Sequence, residues 1–200
     1  TQIGTVKDST SYIDIGVVSA SSYYYKVEAF NDDKKAMSSL ALGKTKVITA
    51  DEAFTLLAEL TGGIRYDAAR ASEVPDIIIK VINDNAAAGT DLVFLIDNTG
   101  SMDDDIYEVK TALNDIITKL PASTMLGAAT YNDANEVPST WYTWENLTTT
   151  YSNIGTFINN IRVYGGGDYA ESVYDGLYHT LDNMSWSSTR KSMIIIIGDA

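Results

Sequence analysis

Cysteine is absent from this chain of 200 residues, histidine occurs once and proline three times. Without cysteine there is no disulfide framework and no thiolate metal cluster, and nothing depends on an oxidising compartment. A single histidine, His179, cannot build a zinc site or a histidine-based triad, because either needs partners elsewhere in the chain. It reads as a packing residue within a helix. No apolar run approaches the roughly 20 residues that a membrane span requires. Thr1 does not open a signal peptide, so the chain reads as a mature or excised piece. Bases are scarce too: 14 against 27 acids gives a formal charge of −13. Such a surface repels phosphate backbones and anionic lipid and suits a protein that binds cations, so neither nucleic acid nor membrane insertion is expected.

What remains is enough to fold. A hydrophobic content of 45% over this length fills the core of one α/β domain with a small appendage. Residues 1–43 read as strands and turns, since Tyr23, Tyr25, Val27, Ala29 and Asn31 alternate at period two. From residue 44 strands and helices alternate, which implies a mostly parallel sheet, doubly wound with helices on both faces. The pattern predicts a strand over 44–49, a helix over 50–60, a strand over 64–67 and a helix over 72–83. Next come a strand ending at Asp97 and a helix whose Ile106, Val109, Leu113, Ile116, Ile117 and Leu120 share one face, closed by Pro121. A hairpin over 125–131 and 141–144, helices over 154–161 and 169–181, and a strand over 193–197 complete it. The last of these is a continuous apolar run, expected to be buried on both faces beside the strand of Asp97.

The chemistry concentrates in Asp97-Asn98-Thr99-Gly100-Ser101-Met102, directly after an apolar run. It sets one carboxylate and two hydroxyls at a strand end, where open α/β sheets bind ligands. These are hard oxygens of the kind magnesium selects. The bland alternative for Asp97, Thr99 and Ser101 is helix capping, which leaves unexplained a charge at the end of a buried strand. Two further acids come at comparable places: Asp168 after Gly165-Gly166-Gly167, where helix capping is the alternative, and Asp199 after Ile194 to Ile197 and Gly198, where a plain turn is the alternative. Asp103, Asp104 and Asp105 are already explained by the dipole of the helix they open. Asp133 reads as a turn former first and a rim contact second.

Taken in order, Asp97-x-Thr99-x-Ser101, Tyr131-Asn132-Asp133, Gly-Gly-Gly-Asp168 and Ile197-Gly198-Asp199 resemble the metal-ion-dependent adhesion site of von Willebrand factor type A domains. The wording is most similar to the bacterial and hemicentin-like branch. The resemblance implies a metal set of Asp97, Thr99, Ser101, Asp168 and Asp199, the last in an outer-shell role, around Mg2+ or else Mn2+ or Ca2+. Asp168 stands where the family often has Thr. The implied function is capture of a partner protein's acidic side chain by an extracellular or cell-surface binding module, not an enzyme. The alternatives are a structural assembly module held by neighbouring domains of one surface polymer and a hydrolase-associated subunit. Leu57 to Ala68 resembles the segment that closes such domains, so residues 44–200 read as a permuted or truncated copy, with 44–90 as its closing part and 91–200 as its metal part. Residues 1–43, with Thr10-Ser11-Tyr12-Ile13-Asp14 before the tyrosine run, resemble the closing half of a fibronectin type III domain.

Overall fold

The computed structural model describes residues 2–7, 21–31, 33–45, 49–86, 89–133, 137, 139–166 and 172–199, with backbone alone at Ala50 and Ala71. Its contacts divide the chain into two compact units, Thr1–Thr49 and Ala50–Ala200. Residues 10–14 of the expected N-terminal pattern lie outside the described residues.

The first unit holds two small antiparallel sheets. Strand β1 (Ser22–Tyr25) pairs with β4 (Ala41–Lys44), and β2 (Glu28–Phe30) pairs with β3 (Lys35–Met37). Tyr23 and Tyr25 turn inward while Ser22 and Tyr24 face water, as period two requires. Gly43 lies under the Tyr25 ring, where a Cβ would come within 2.8 Å of the ring edge. The β2–β3 turn is fixed by Asn31, whose Oδ1 accepts from the backbone N–H groups of Asp33 and Lys34. The alternating run breaks at Val27, which exchanges backbone and hydroxyl bonds with Ser38.

The second unit is a four-stranded sheet in the order β7-β6-β5-β8, made of β5 (Thr90–Asp97), β6 (Met125–Tyr131), β7 (Tyr142–Thr148) and β8 (Lys191–Ile197). Strand β5 runs parallel to β6 and β8, and β7 returns antiparallel to β6. Helices α2 (Val74–Asn85), α3 (Ile106–Lys119) and α4 (Tyr151–Asn160) cover the face that carries Leu92, Phe94 and Ile96. Helices α1 (Ala50–Thr61) and α5 (Val173–Asn183) cover the face that carries Val93 and Leu95. Every residue of β5 is buried, and each large apolar side chain there contributes about 1.5–3 kcal/mol. Gly176 brings α5 against β6, since a Cβ there would meet Tyr131 Cβ at 2.8 Å. A bulge in β7 after Glu145 turns Leu147 to the same face as Tyr142, where both join one core cluster.

Two expectations are corrected. Residues 64–67 form no strand: Ile64 is exposed, and Arg65 is tied to Asp51 and Thr55 of α1 and to Asp67, so this segment does not enter the ladder. Residues 50–85 therefore supply helices to both faces of the sheet without extending it. Strand β8 is also only half-buried over Met193 to Ile196, because among the described residues it pairs with β5 alone. Its outer edge opens on a groove of about 1070 Å³ flanked by α1 and α2. Of the expected strand over 44–49, Lys44 belongs to β4 and residues 46–48 lie outside the described residues. So do residues 169–171 at the expected start of α5.

Candidate metal centre

Parallel pairing sets the ends of β5 and β6 level, with Tyr131 opposite Asp97. Beyond β5 the backbone bends at Thr99 and enters a 3-10 turn over Gly100–Asp103. Among the described residues no side chain caps that turn or the start of α3, so Ser101 is not engaged there as a helix cap. Its hydroxyl lies 2.9 Å from Thr99 Oγ1 and donates to Asp199 Oδ1 at 2.9 Å. Thr99 in turn donates twice to Asp97 Oδ1, from its hydroxyl at 2.7 Å and from its backbone N–H at 2.8 Å. Asp97, Thr99, Ser101 and Asp199 thus form one continuous chain of oxygens from a buried strand end to the surface.

Asp97 is 1% exposed. Burial pushes its carboxyl up to about 6; the two Thr99 bonds pull the other way, the Asp199 charge adds to the rise, and the Tyr131 hydroxyl opposes it weakly. Even so, among the described residues Oδ2 has no donor in hydrogen-bonding geometry. A buried carboxylate oxygen without a partner is costly, and its chemistry fits a cation. Asp105, a turn further on, is also held above its ordinary value, first by burial and then by the charges of Asp104, Asp199 and Glu108. The electrostatics around this loop therefore oppose further negative charge and favour a positive ion.

The glycine loop closes over the same point. Gly100 N–H donates to Gly165 O at 3.1 Å, and a Cβ on Gly100 would stand 2.8 Å from that oxygen. Gly166 has φ +73° and lies so close to Thr99 that a Cβ would meet Thr99 Cβ at 2.7 Å. Glycine is needed here for both its conformation and its size. Asp168, two residues on, lies outside the described residues. Among the described residues no group of three or more Asp, Glu, His or Cys side chains gathers in a form that could hold a metal; the described oxygens are two carboxylates and two hydroxyls.

Sequence reading missed what locks these loops together. Asn98 and Asn132 each sit one residue past a strand end, and both are buried. Asn132 Nδ2 donates to Asn98 O at 3.0 Å and to Tyr164 O at 2.9 Å, while Asn98 Nδ2 donates to Arg162 O at 3.1 Å. Asn132 Oδ1 accepts from the N–H of Asp133, which is itself buried. A matching asparagine after each of two parallel strands was the available signal. His179 does pack, between the rings of Trp141, Tyr142 and Tyr178.

The alpha-protein kinase vwkA of Dictyostelium discoideum is 28% identical over 160 residues, covering 78% of this chain and 24% of that protein. The chain thus spans about a quarter of the length of that relative. Residues 91–200, more than half of the chain and the part that carries the oxygen cluster, match the von Willebrand factor A domain, and the chain belongs to that family.

Proposed function

We propose that this chain is a divalent-metal-dependent protein-binding module with a metal-ion-dependent adhesion site. Asp97, Thr99 and Ser101 would hold one ion, with Asp168 and Asp199 beside it. The observation that carries this reading is the orphaned Oδ2 of a buried Asp97 joined through two hydroxyls to Asp199. An all-oxygen set suits Mg2+, with Mn2+ or Ca2+ as the alternatives. Bound there, the ion would offer an electrophilic position to an acidic side chain of a partner protein. Without it, a surface of net charge −13 repels such an acid.

The protein around the ion would do the positioning. Thr99 and Ser101 are aligned by their mutual contact, Asp199 orients the Ser101 hydroxyl, and the Asn98–Asn132 bonds hold the loop ends. We place the module at the cell surface or outside the cell, in the bacterial and hemicentin-like branch, with the first unit as a fibronectin type III-like spacer. The small antiparallel sheets and inward tyrosines of that unit support the last assignment.

Isothermal titration of the whole chain with Mg2+ tests the reading. One ion is expected to bind wild type and none to bind Asp97→Ala, with unchanged circular dichroism. Equal affinity in the folded variant would overturn the assignment.

A further inference from the structure

Away from the oxygen cluster, β7 and α5 share an aromatic surface that the proposed metal site does not use. Tyr142 and Trp144 stack at 5.7 Å between centroids, His179 meets Tyr142 at 5.4 Å and Trp141 at 5.1 Å, and Tyr178 meets His179 edge-on at 5.7 Å. The five rings are contiguous, yet the outer two are largely wet: Trp144 is 46% exposed and Tyr178 65%. Clustered aromatics left in water mark a contact surface more than a packing requirement.

Charge indicates what would cover it. On α5 the spacing puts Asp175 and Asp182 one turn to either side of Tyr178 along one face. Both are exposed, and among the described residues neither carboxylate forms an ion pair or a hydrogen bond. Ring faces carry negative quadrupole density, so aromatics flanked by unpaired carboxylates attract cations.

We propose that this β7–α5 surface docks an arginine-bearing segment of a protein partner. A guanidinium is planar and weakly hydrated, so it can stack on Trp144 or Tyr178 while its N–H groups reach Asp175 or Asp182. A lysine ammonium is a compact, strongly hydrated charge that gains less from the rings. The surface needs no metal and stands apart from the metal reading.

The test uses the whole chain and capped peptides, Gly-Arg-Gly-Arg-Gly and its lysine and glutamate counterparts, followed by NMR of the Trp144 indole and Tyr178 ring in magnesium and in chelator. The arginine peptide should give saturable shifts at both rings, equal in the two buffers. The lysine peptide should bind several-fold more weakly and the glutamate peptide should not bind. Trp144→Ala and Tyr178→Ala, each checked for folding, should weaken arginine-peptide binding about five-fold or more, and so should the Asp175→Asn, Asp182→Asn pair. Glu59→Gln with Asp76→Asn removes two exposed charges elsewhere and should change little. No saturable shift would overturn the proposal. So would equal weakening by the control pair, which reports bulk charge alone, or shifts caused by a neutral oligosaccharide instead of the arginine peptide.

Discussion

Asp97 is where residue-scale physics is most exposed to test. Its carboxyl is held near 6 in the folded chain against an ordinary 3.8, chiefly by burial. The native state therefore grips a proton more tightly than the unfolded chain does. Stability is largest below the unfolded value and falls as pH rises from about 4 to about 6, where the buried group ionises. That difference corresponds to about 3 kcal/mol at most. In urea unfolding with chelator present, wild type should lose more stability than Asp97→Asn across that window, because an amide cannot ionise. Above pH 6 the amide variant should be the more stable of the two without metal. Parallel pH profiles would mean that the group is better solvated than its burial implies. The same substitution should abolish Mg2+ binding, so a ligand role predicts opposite effects on metal-free stability and on metal affinity.

Elements decide whether such a residue meets its partners, and here the join is made by two asparagines. Asn132→Ala removes three donated contacts, to Asn98 O, Asn98 Oδ1 and Tyr164 O, and one accepted bond from Asp133 N–H in a buried site; Asn98 O keeps the Tyr164 N–H, while Tyr164 O and Asp133 N–H lose the bonds the amide gave them. A loss of about 2–4 kcal/mol is expected from the urea midpoint, with weaker Mg2+ binding because the loops ending β5 and β6 are no longer held level. An unchanged midpoint would show that water replaces the amide without penalty. This joint is also where sequence reading stopped. Strands β5 and β6 and helix α3 were legible because their burial is written locally, in an apolar run or a one-sided stripe. Asp97, Thr99, Ser101 and Asp199 were legible as candidates because each follows such a run. The Asn98–Asn132 bonds depend on two separate loops meeting, which no local pattern encodes. The half-burial of β8 was hidden for the same reason, since an apolar run reads alike in a central strand and in one paired on a single side. Residues 64–67 looked like a strand by composition, yet Arg65 answers to α1 and Asp67. A side-chain ion pair overrode a weak backbone preference there.

At the scale of the whole molecule, the excess of 27 acids over 14 bases leaves a net negative charge that repels itself when the chain folds. Added salt relieves this, since the Debye length falls from about 30 Å at 0.01 M to about 8 Å at 0.15 M. The melting temperature should therefore rise with sodium chloride over that range in wild type and in Asp97→Asn alike. Magnesium acts in two ways that ionic strength alone cannot separate. It screens the general repulsion, and if the oxygen cluster is a site, it also binds the native state only. Site binding adds about 2.7 kcal/mol when the free ion is a hundred times its dissociation constant. Scanning calorimetry at matched ionic strength distinguishes the two. Wild type should melt higher in magnesium chloride than in sodium chloride, and Asp97→Asn should show a much smaller difference. The variant carries one acid fewer among 27, so its screening response is nearly that of wild type. Any loss of the magnesium increment then belongs to the site. An equal increment in both proteins would assign magnesium stabilisation to diffuse charge and remove the basis for a metal-bridged partner.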